Sequence, residues 1–243
     1  AREYFKALKI VNYTSNNEAD DNLLNLAFGK QDNSSNHRKD WLNSYNKEET
    51  LDYNSKSVSM KDFINYDLIH FSNSDNIRSL PSVIDGLKPS QRKVLYCCKK
   101  RNLTTKEIRV AQLAGYVSEH GAYHHGEASL NMAIVGLAQN FVGSNNINLF
   151  MPNGQFGTRI MGGSDAASSR YIHTELNKLT DCIYPNEDFP LLKYVEDDGL
   201  KVEPYHYVPI IPMVLVNGMN GIGTGFSTTI PQFNPLDCIE NIK

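Results

Sequence analysis

The chain has few cysteines and no long apolar run. Its cysteines number four: Cys97, Cys98, Cys182 and Cys238. They show neither the spacing of zinc ligands nor a disulfide framework, so we expect a reducing compartment. The longest apolar run, residues 208–216, is interrupted by Pro209 and Pro212 and is too short to span a membrane. The first residues are charged and aromatic, so no signal peptide is predicted.

Charge is almost balanced over the 243 residues but is unevenly distributed along them. The net charge of −3 and the 40% hydrophobic content indicate a folded globular chain. Residues 78–109 nevertheless hold nine basic residues against two acidic ones, whereas residues 181–203 hold seven acidic residues against two lysines. A basic block of this kind is typical of a surface that contacts a phosphate backbone. The alternative is a solvated helix face without a partner.

Three helices are predicted in the middle of the chain, over residues 91–100, 110–117 and 127–141. The third has the strongest pattern, with apolar side chains at positions 130, 134, 137 and 141 on one stripe. A glycine-rich stretch follows at residues 154–163 and predicts a hairpin. Two helices joined by a short turn and followed by such a hairpin are typical of a winged helix-turn-helix.

The stretch after the hairpin carries the most informative side chains. Ile172, Leu176 and Leu179 fall at i, i+4 and i+7, which predicts a helix that buries them. Tyr171 is offset by about 100° and would lie on the polar face, next to Arg170. A phenol attacks poorly at neutral pH because its ordinary pKa is about 10, and a guanidinium can stabilise the phenolate and clamp a phosphate. The alternative is an ordinary surface tyrosine.

Two turns complete the set of candidates. His124 and His125 precede the third helix, where both could donate to an anion; a zinc site or a structural histidine pair are the alternatives. Residues 217–225 form a glycine-rich loop that lacks the Lys-Ser/Thr ending of a phosphate-binding loop. Ile222 in this loop is a candidate wedge between base steps, or else a buried residue of a tight turn.

Taken together, these blocks resemble the DNA breakage-reunion region of a eukaryotic-type type II DNA topoisomerase. Seven motifs of that family occur in the family's order: DNIRS (75–79), DGLKPSQRKVL (85–95), AYHHGE (122–127), LAQNFVGSNN (137–146), FGTR (156–159), RY (170–171) and GIGTG (221–225). Alternatives from other classes are a winged-helix protein that binds DNA without cleaving it and a nucleotide-binding protein that uses residues 221–225.

The resemblance implies a role for each matching residue. Tyr171 would be the nucleophile that forms a 5′-phosphotyrosine link, Arg170 would stabilise the charge on the phosphate, and His125 would assist. The helix over residues 127–141 would enter the major groove, and Ile222 would insert into bent DNA. The DNA-binding residues implied are Arg78, Lys88, Arg92, Lys93, His124 and Ile222.

The resemblance also implies an α+β fold in three parts. Residues 1–62 would be the tail of a toprim-like metal-binding module plus a linker, residues 63–190 a winged helix-turn-helix domain, and residues 191–243 the start of a β-rich tower domain. Mg²⁺ would be bound by ligands upstream of residue 1 and ATP by a domain further upstream, with no metal site within the chain. The partners implied are double-stranded DNA and a second copy in a homodimer, with no membrane, in the nucleus. We therefore expect the 243 residues alone to cleave DNA poorly.

Overall fold

The computed structural model describes residues 10–15, 17–52 and 54–243. The chain divides into two compact units, one formed by Ala1–Ser79 and Ile222–Ser227, the other by Leu80–Gly221 and Thr228–Lys243. The boundaries expected from the sequence, after residues 62 and 190, do not coincide with this division, and the three-part organisation stays a prediction. The apolar residues predicted as helical before residue 10 lie outside the described residues.

The first unit combines helices with one short parallel sheet. Its elements in chain order are β1 (Asn12–Thr14), α1 (Asn17–Phe28), α2 (Ser34–Asn43), β2 (Ser57–Ser59), α3 (Met60–Phe63), a π-helical segment (Ile64–Leu68) and α4 (Ile69–Ser79). Strand β1 pairs in parallel with β2, so the loop predicted at residues 12–17 contains a strand. The helix predicted at residues 63–71 begins earlier because Ser59 caps it, accepting from the Asp62 N–H at 3.1 Å.

The second unit contains the predicted helices and several short sheets. Its elements are α5 (Pro89–Lys100), β3 (Ile108–Arg109), α6 (Val110–His120), α7 (Glu127–Ala138), β4 (His173–Thr174), α8 (Lys178–Ile183), a 3₁₀ helix (Asn186–Leu191), β5 (Tyr194–Asp197), β6 (Leu200–Pro204), α9 (Met213–Val216) and α10 (Pro235–Ile242). Strands β7 (Met219–Ile222) and β8 (Ser227–Ile230) form a hairpin whose tip belongs to the first unit. The predicted α+β class is confirmed, although residues 214–216, expected as strand, are helical.

Helix α7 has the predicted apolar stripe but ends earlier than expected. Leu130, Ile134 and Leu137 are buried, whereas Phe141 lies beyond the end of the helix and is half-buried. The side-chain amide of Asn145 donates to the carbonyls of residues 136 and 139, both at 2.8 Å. These bonds satisfy carbonyls that lack partners within the helix, so the turn after α7 replaces its last predicted turn.

The helix predicted from residue 172 onwards is wrong. Ile172 and Leu176 are buried, but Leu179 is 52% exposed. The segment is extended: β4 pairs antiparallel with β3, and Ile108 lies opposite Thr174. Burial at positions 172, 174 and 176 has the period of two that a strand requires. The spacing of four residues between the first two apolar positions satisfies both periods, which is why the helical pattern misled.

The glycine-rich stretch at residues 154–163, the wing loop, reverses the chain without forming the predicted hairpin ladder. It is closed by two backbone bonds, from the Gly163 N–H to Thr158 at 2.9 Å and from the Ala167 N–H to Gln155 at 2.9 Å. Gly157 has a φ of 100°, and a Cβ there would lie 2.5 Å from the Gly163 Cα. Only glycine fits this crossing of the two arms.

All four cysteines are free, as the absence of a disulfide framework predicts. Burial raises the pKa of the Cys97 thiol to about 12 and raises that of Cys98 well above its usual value. Both therefore act as small apolar core residues rather than nucleophiles. In the part of the chain that the structure describes, no helix is long and apolar enough to cross a membrane.

A buried ion pair organises the second unit. Asp85 is fully buried and accepts from Arg92 Nε at 2.7 Å and Nη2 at 3.0 Å. The same carboxylate accepts from the N–H groups of Leu87 and Tyr207, both at 2.9 Å. A buried carboxylate is tolerated only when its charge is paired and its lone pairs are used. Asp85 therefore ties together the turn at residues 85–88, helix α5 and the segment after β6.

We expect Asp85→Asn to destabilise the chain by about 3–5 kcal/mol because it leaves the Arg92 guanidinium buried without a counter-charge. Urea unfolding followed by circular dichroism measures the change. Asp75→Asn is the matched control, since Asp75 pairs with Arg78 on the surface and its loss should cost less than about 1 kcal/mol. Equal effects of the two substitutions would contradict the central role of the Asp85 pair.

Candidate functional site

Tyr171 lies in a tight turn just before β4. Its side chain is 73% exposed, and its N–H donates to the Ser168 carbonyl at 2.9 Å. The next residue, Ile172, is buried, and a Cβ on Gly154 would lie 2.9 Å from its Cγ2 atom. A solvent-facing phenol therefore projects from a backbone that is packed from below.

The turn around Tyr171 is attached to the start of α6. The N–H of Ala111 donates to the Ser169 carbonyl, and the N–H of Val110 donates to the Ile172 carbonyl, both at 3.0 Å. Amides in the first turn of a helix have no partner within the helix. The carbonyls that flank Tyr171 supply those partners, so its position is fixed relative to the helix-turn-helix.

Arg170 is exposed beside the tyrosine. Its guanidinium carbon lies 6.0 Å from the centre of the Tyr171 ring, at the outer limit of a cation–π contact. Within the described residues no hydrogen bond or ion pair engages Arg170, so its donors are available to a ligand. Neighbours on a helix would diverge by about 100°, and the observed turn removes that obstacle to joint action on one phosphate.

Two other tyrosines of this unit are unsuited to nucleophilic attack. Tyr184 and Tyr207 are buried, and burial raises the pKa of each phenol well above its usual value. Neither hydroxyl finds a hydrogen-bond partner among the described residues. Exposure therefore separates Tyr171 from these core tyrosines.

The predicted histidines lie in the turn between α6 and α7, residues 121–126, which we call the histidine turn. His125 is exposed, and its ring meets the Tyr123 ring edge-on with centroids 5.4 Å apart. His124 is also exposed, and its Nε2 lies 3.2 Å from the Asp197 carboxylate at the end of β5. Ala122 has a φ of 48°, a conformation that a non-glycine residue adopts only when its surroundings impose it.

Two of the predicted DNA contacts are not retained. Arg92 is 5% exposed and its guanidinium is used by Asp85 and by the Leu87 carbonyl at 2.8 Å. Lys93 is nearly buried, and its ammonium donates to Gly121 at 2.7 Å and to Glu203 at 2.8 Å. Both cations stabilise the fold, and the basic block of the sequence is smaller on the surface than its charge count suggests.

Lys88 keeps a position suited to a phosphate contact. It precedes α5, where its N–H donates to the Gln91 side chain at 2.9 Å. Lys88 and Gln91 line an open groove of about 430 Å³ together with residues 143–145, 217–220 and 229–232. None of these lining residues is acidic, so the groove presents a cation and amide donors without an internal counter-charge.

Arg78 and Ile222 belong to the first unit. Arg78 pairs with Asp75 at 2.8 Å across one turn of α4 and stays half exposed. Ile222 is 81% exposed, which excludes the alternative of a buried isoleucine. The tip of its hairpin is held by the Asn76 side chain, which donates to the Thr224 carbonyl at 3.1 Å. The exposed apolar side chain therefore projects from a braced hairpin tip.

The sequence did not reveal the side chains that hold the wing loop. The Gln139 amide donates to the carbonyls of Phe156 at 2.8 Å and Gly163 at 3.3 Å. Asp165 accepts from the Thr158 N–H at 2.7 Å and hydroxyl at 2.9 Å, and these bonds lower the pKa of its carboxyl. Spacing along the chain gives no signal for either contact, because each joins segments that meet only in the folded loop.

Metal ligation was also weighed for the histidine turn. Among the described residues, no group of three histidine, cysteine, aspartate or glutamate side chains could hold a metal ion. The two histidines of the turn are adjacent and one of them is engaged by Asp197, so they do not fit a zinc site.

Comparison with known families defines the class. Residues 78–243 match the family model for the DNA gyrase/topoisomerase IV proteins, and residues 1–76 match the model described as the C-terminal associated domain of TOPRIM. The first match covers more than half of the chain. The chain therefore belongs to the DNA gyrase/topoisomerase IV family.

Within this class, the similarity is to DNA topoisomerase 2. The chain is 56% identical to the Saccharomyces cerevisiae protein of that name and 52% identical to the one from Candida albicans, with all of this chain covered in each case. It spans 17% of the length of each of these relatives. A crystal structure of the Plasmodium falciparum topoisomerase II DNA-binding, cleavage and re-ligation domain matches with a TM-score of 0.81 and 47% identity, covering 99% of this chain and 33% of that one.

Proposed function

We propose that this chain is the DNA cleavage and religation part of an ATP-dependent type II DNA topoisomerase. The observation that carries the proposal is the exposed Arg170–Tyr171 pair, held on a packed turn at the start of α6. The similar Plasmodium falciparum structure is named for DNA binding, cleavage and re-ligation, which supports the same activity here.

The proposed reaction is a transesterification at a DNA phosphate. The Tyr171 hydroxyl oxygen attacks phosphorus and loses its proton, a bond forms between this oxygen and phosphorus, and the bond from phosphorus to the 3′ oxygen breaks. The products are a 5′-phosphotyrosine link and a free 3′-OH, which takes up a proton. One phosphoester replaces another, so the reverse attack by the 3′-OH reseals the strand without an external energy source.

Arg170 and His125 have separate roles in this scheme. The Arg170 guanidinium donates to the non-bridging oxygens, on which negative charge builds during attack. His125 serves the phosphate or the leaving 3′ oxygen as a proton donor. Both side chains are exposed, as groups that must reach a macromolecular substrate need to be.

The surrounding elements would hold the duplex. Lys88, Arg78 and His124 would contact phosphates, and Ile222 would insert into the bent duplex. Helix α7 would enter the major groove; its exposed residues Ala128 and Ser129 are small enough for close approach.

The cofactors and partners belong to the whole protein. Type II topoisomerases generally use Mg²⁺ and ATP, and we propose that both are bound by regions outside these 243 residues. This assignment agrees with the lack of a metal site among the described residues. We further propose a homodimer, testable by sedimentation of the full-length protein, and a nuclear location, testable by microscopy. One Dictyostelium discoideum relative is named as mitochondrial.

We expect Tyr171→Phe to abolish the covalent attachment of protein to DNA, because only the attacking oxygen is removed. DNA affinity should change by less than about tenfold, since at most one hydrogen bond is lost. The measurement uses a full-length protein that contains this chain, end-labelled DNA and Mg²⁺, quenched with detergent. Tyr205→Phe, a second exposed tyrosine, is the control. No adduct from the unsubstituted, DNA-binding protein would favour a non-catalytic winged-helix binder.

Lys88→Ala should reduce the dependence of DNA binding on salt by about one unit of slope, because one phosphate contact and its released counterion are lost. Titrations at several salt concentrations give the slope. Lys193→Ala removes an equal charge from another exposed position and should leave the slope unchanged. An unaltered slope in Lys88→Ala would remove this residue from the backbone contacts.

Ile222→Ala should reduce the bend in bound DNA, and with it the cleavage rate, while the salt dependence of binding is retained. The reason is that an inserted apolar side chain holds the unstacked base step apart. Fluorescence transfer between dyes at the duplex ends measures the bend. Ile210→Ala, another exposed isoleucine, is the control; a normal bend in Ile222→Ala would refute the wedge assignment.

A further inference from the structure

The β5–β6 hairpin touches the histidine turn at two points that no motif predicts. Lys93 bridges the first residue of the turn to the hairpin, with Nζ 2.7 Å from the Gly121 carbonyl and 2.8 Å from the Glu203 carboxylate in β6. In the middle of the turn, His124 Nε2 lies 3.2 Å from Asp197 at the end of β5. Both carboxylates come from one hairpin, and Asp197 is 73 residues away from His124 along the chain.

The two contacts differ in what they contribute. Lys93 and Glu203 are nearly buried, so their ion pair is directional and breaking it would leave a desolvated charge. The His124–Asp197 contact is largely solvated and contributes little to stability. Its consequence is therefore orientation of the turn rather than cohesion of the fold.

The contact with Asp197 fixes how His124 is used. An ionised carboxylate only accepts hydrogen bonds, so Nε2 of His124 carries the proton and donates it. Only Nδ1 is then left to face a ligand. The neighbouring backbone is held in an unusual conformation at Ala122, and His125 leans on the Tyr123 ring. The orientation of the turn is thus imposed from outside by the hairpin.

We propose that Asp197 is a positioning residue for DNA cleavage: by holding His124 it fixes the turn that carries His125, while Glu203 acts through Lys93 on the Gly121 end. This inference rests on the proposed function. A carboxylate beside a phosphate-binding turn opposes DNA binding by charge alone. Its removal should therefore leave DNA affinity equal or tighter while cleavage slows, and that opposite movement separates positioning from a general loss of binding.

The test compares single-turnover cleavage and DNA affinity in a full-length protein that contains this chain. Asp197→Asn should slow cleavage by about tenfold or more, as expected when a catalytic group is displaced by a fraction of an ångström. Asp197→Glu should restore part of the rate. Glu196→Gln removes the same charge from the adjacent, exposed position without touching His124, and should leave the rate unchanged.

A double-substitution cycle tests the route through His124. His124→Gln should slow cleavage, and adding Asp197→Asn should slow it no further, because residues that act through one contact are not additive. Additive losses, an unchanged rate in Asp197→Asn, or an equal loss in Glu196→Gln would overturn the proposal.

Hydrogen exchange tests the bracing without any cleavage. The peptide covering residues 118–127 should exchange several-fold faster in Asp197→Asn than in the unsubstituted protein or in Glu196→Gln, because the turn opens more often. Unchanged exchange would contradict the bracing. If the unsubstituted protein forms no covalent adduct, the proposed function fails, and this measurement still decides whether Asp197 holds the turn.

Discussion

The buried pair of Asp85 and Arg92 is the interaction on which the second unit depends. Its carboxylate receives N–H groups from three separate segments, so the turn before α5, the helix itself and the chain after β6 are fixed around one charge. Such a pair contributes more to a unique arrangement than to net stability, because desolvation offsets much of the attraction. Lys88 follows this turn directly. A side chain suited to DNA is thus presented by a residue pair that never meets DNA.

Sequence patterns predicted the elements whose signals are local. Helices α5, α6 and α7 follow from apolar spacing and their flanking turns, which the folded protein does not override. The strand at His173–Thr174 was missed because Ile172 and Leu176 fit either period. Pairing with β3, which lies far earlier in the chain, decides between the two periods. The choice is physical information that no short window of sequence contains.

The candidate site divides in the same way. Exposure and adjacency of Arg170 and Tyr171 could be inferred from their motif, and the structure places both in solvent. The fate of the other cations could not be inferred. Lys93 looks like a phosphate contact in sequence, but Glu203, 110 residues away, pairs with it. A count of basic residues measures potential ligands for phosphate before the fold has used some of them for itself.

The failed helix prediction falls where the chemistry requires a different backbone. Two adjacent side chains on a helix diverge, so Arg170 and Tyr171 could not share one phosphate there. A turn brings them to the same side, but a turn lacks the repeating hydrogen bonds that hold a helix. The first amides of α6 supply the missing support through the carbonyls of Ser169 and Ile172. Function therefore appears where local preference is overridden, and the cost of that departure is offset by unused donors of a neighbouring helix.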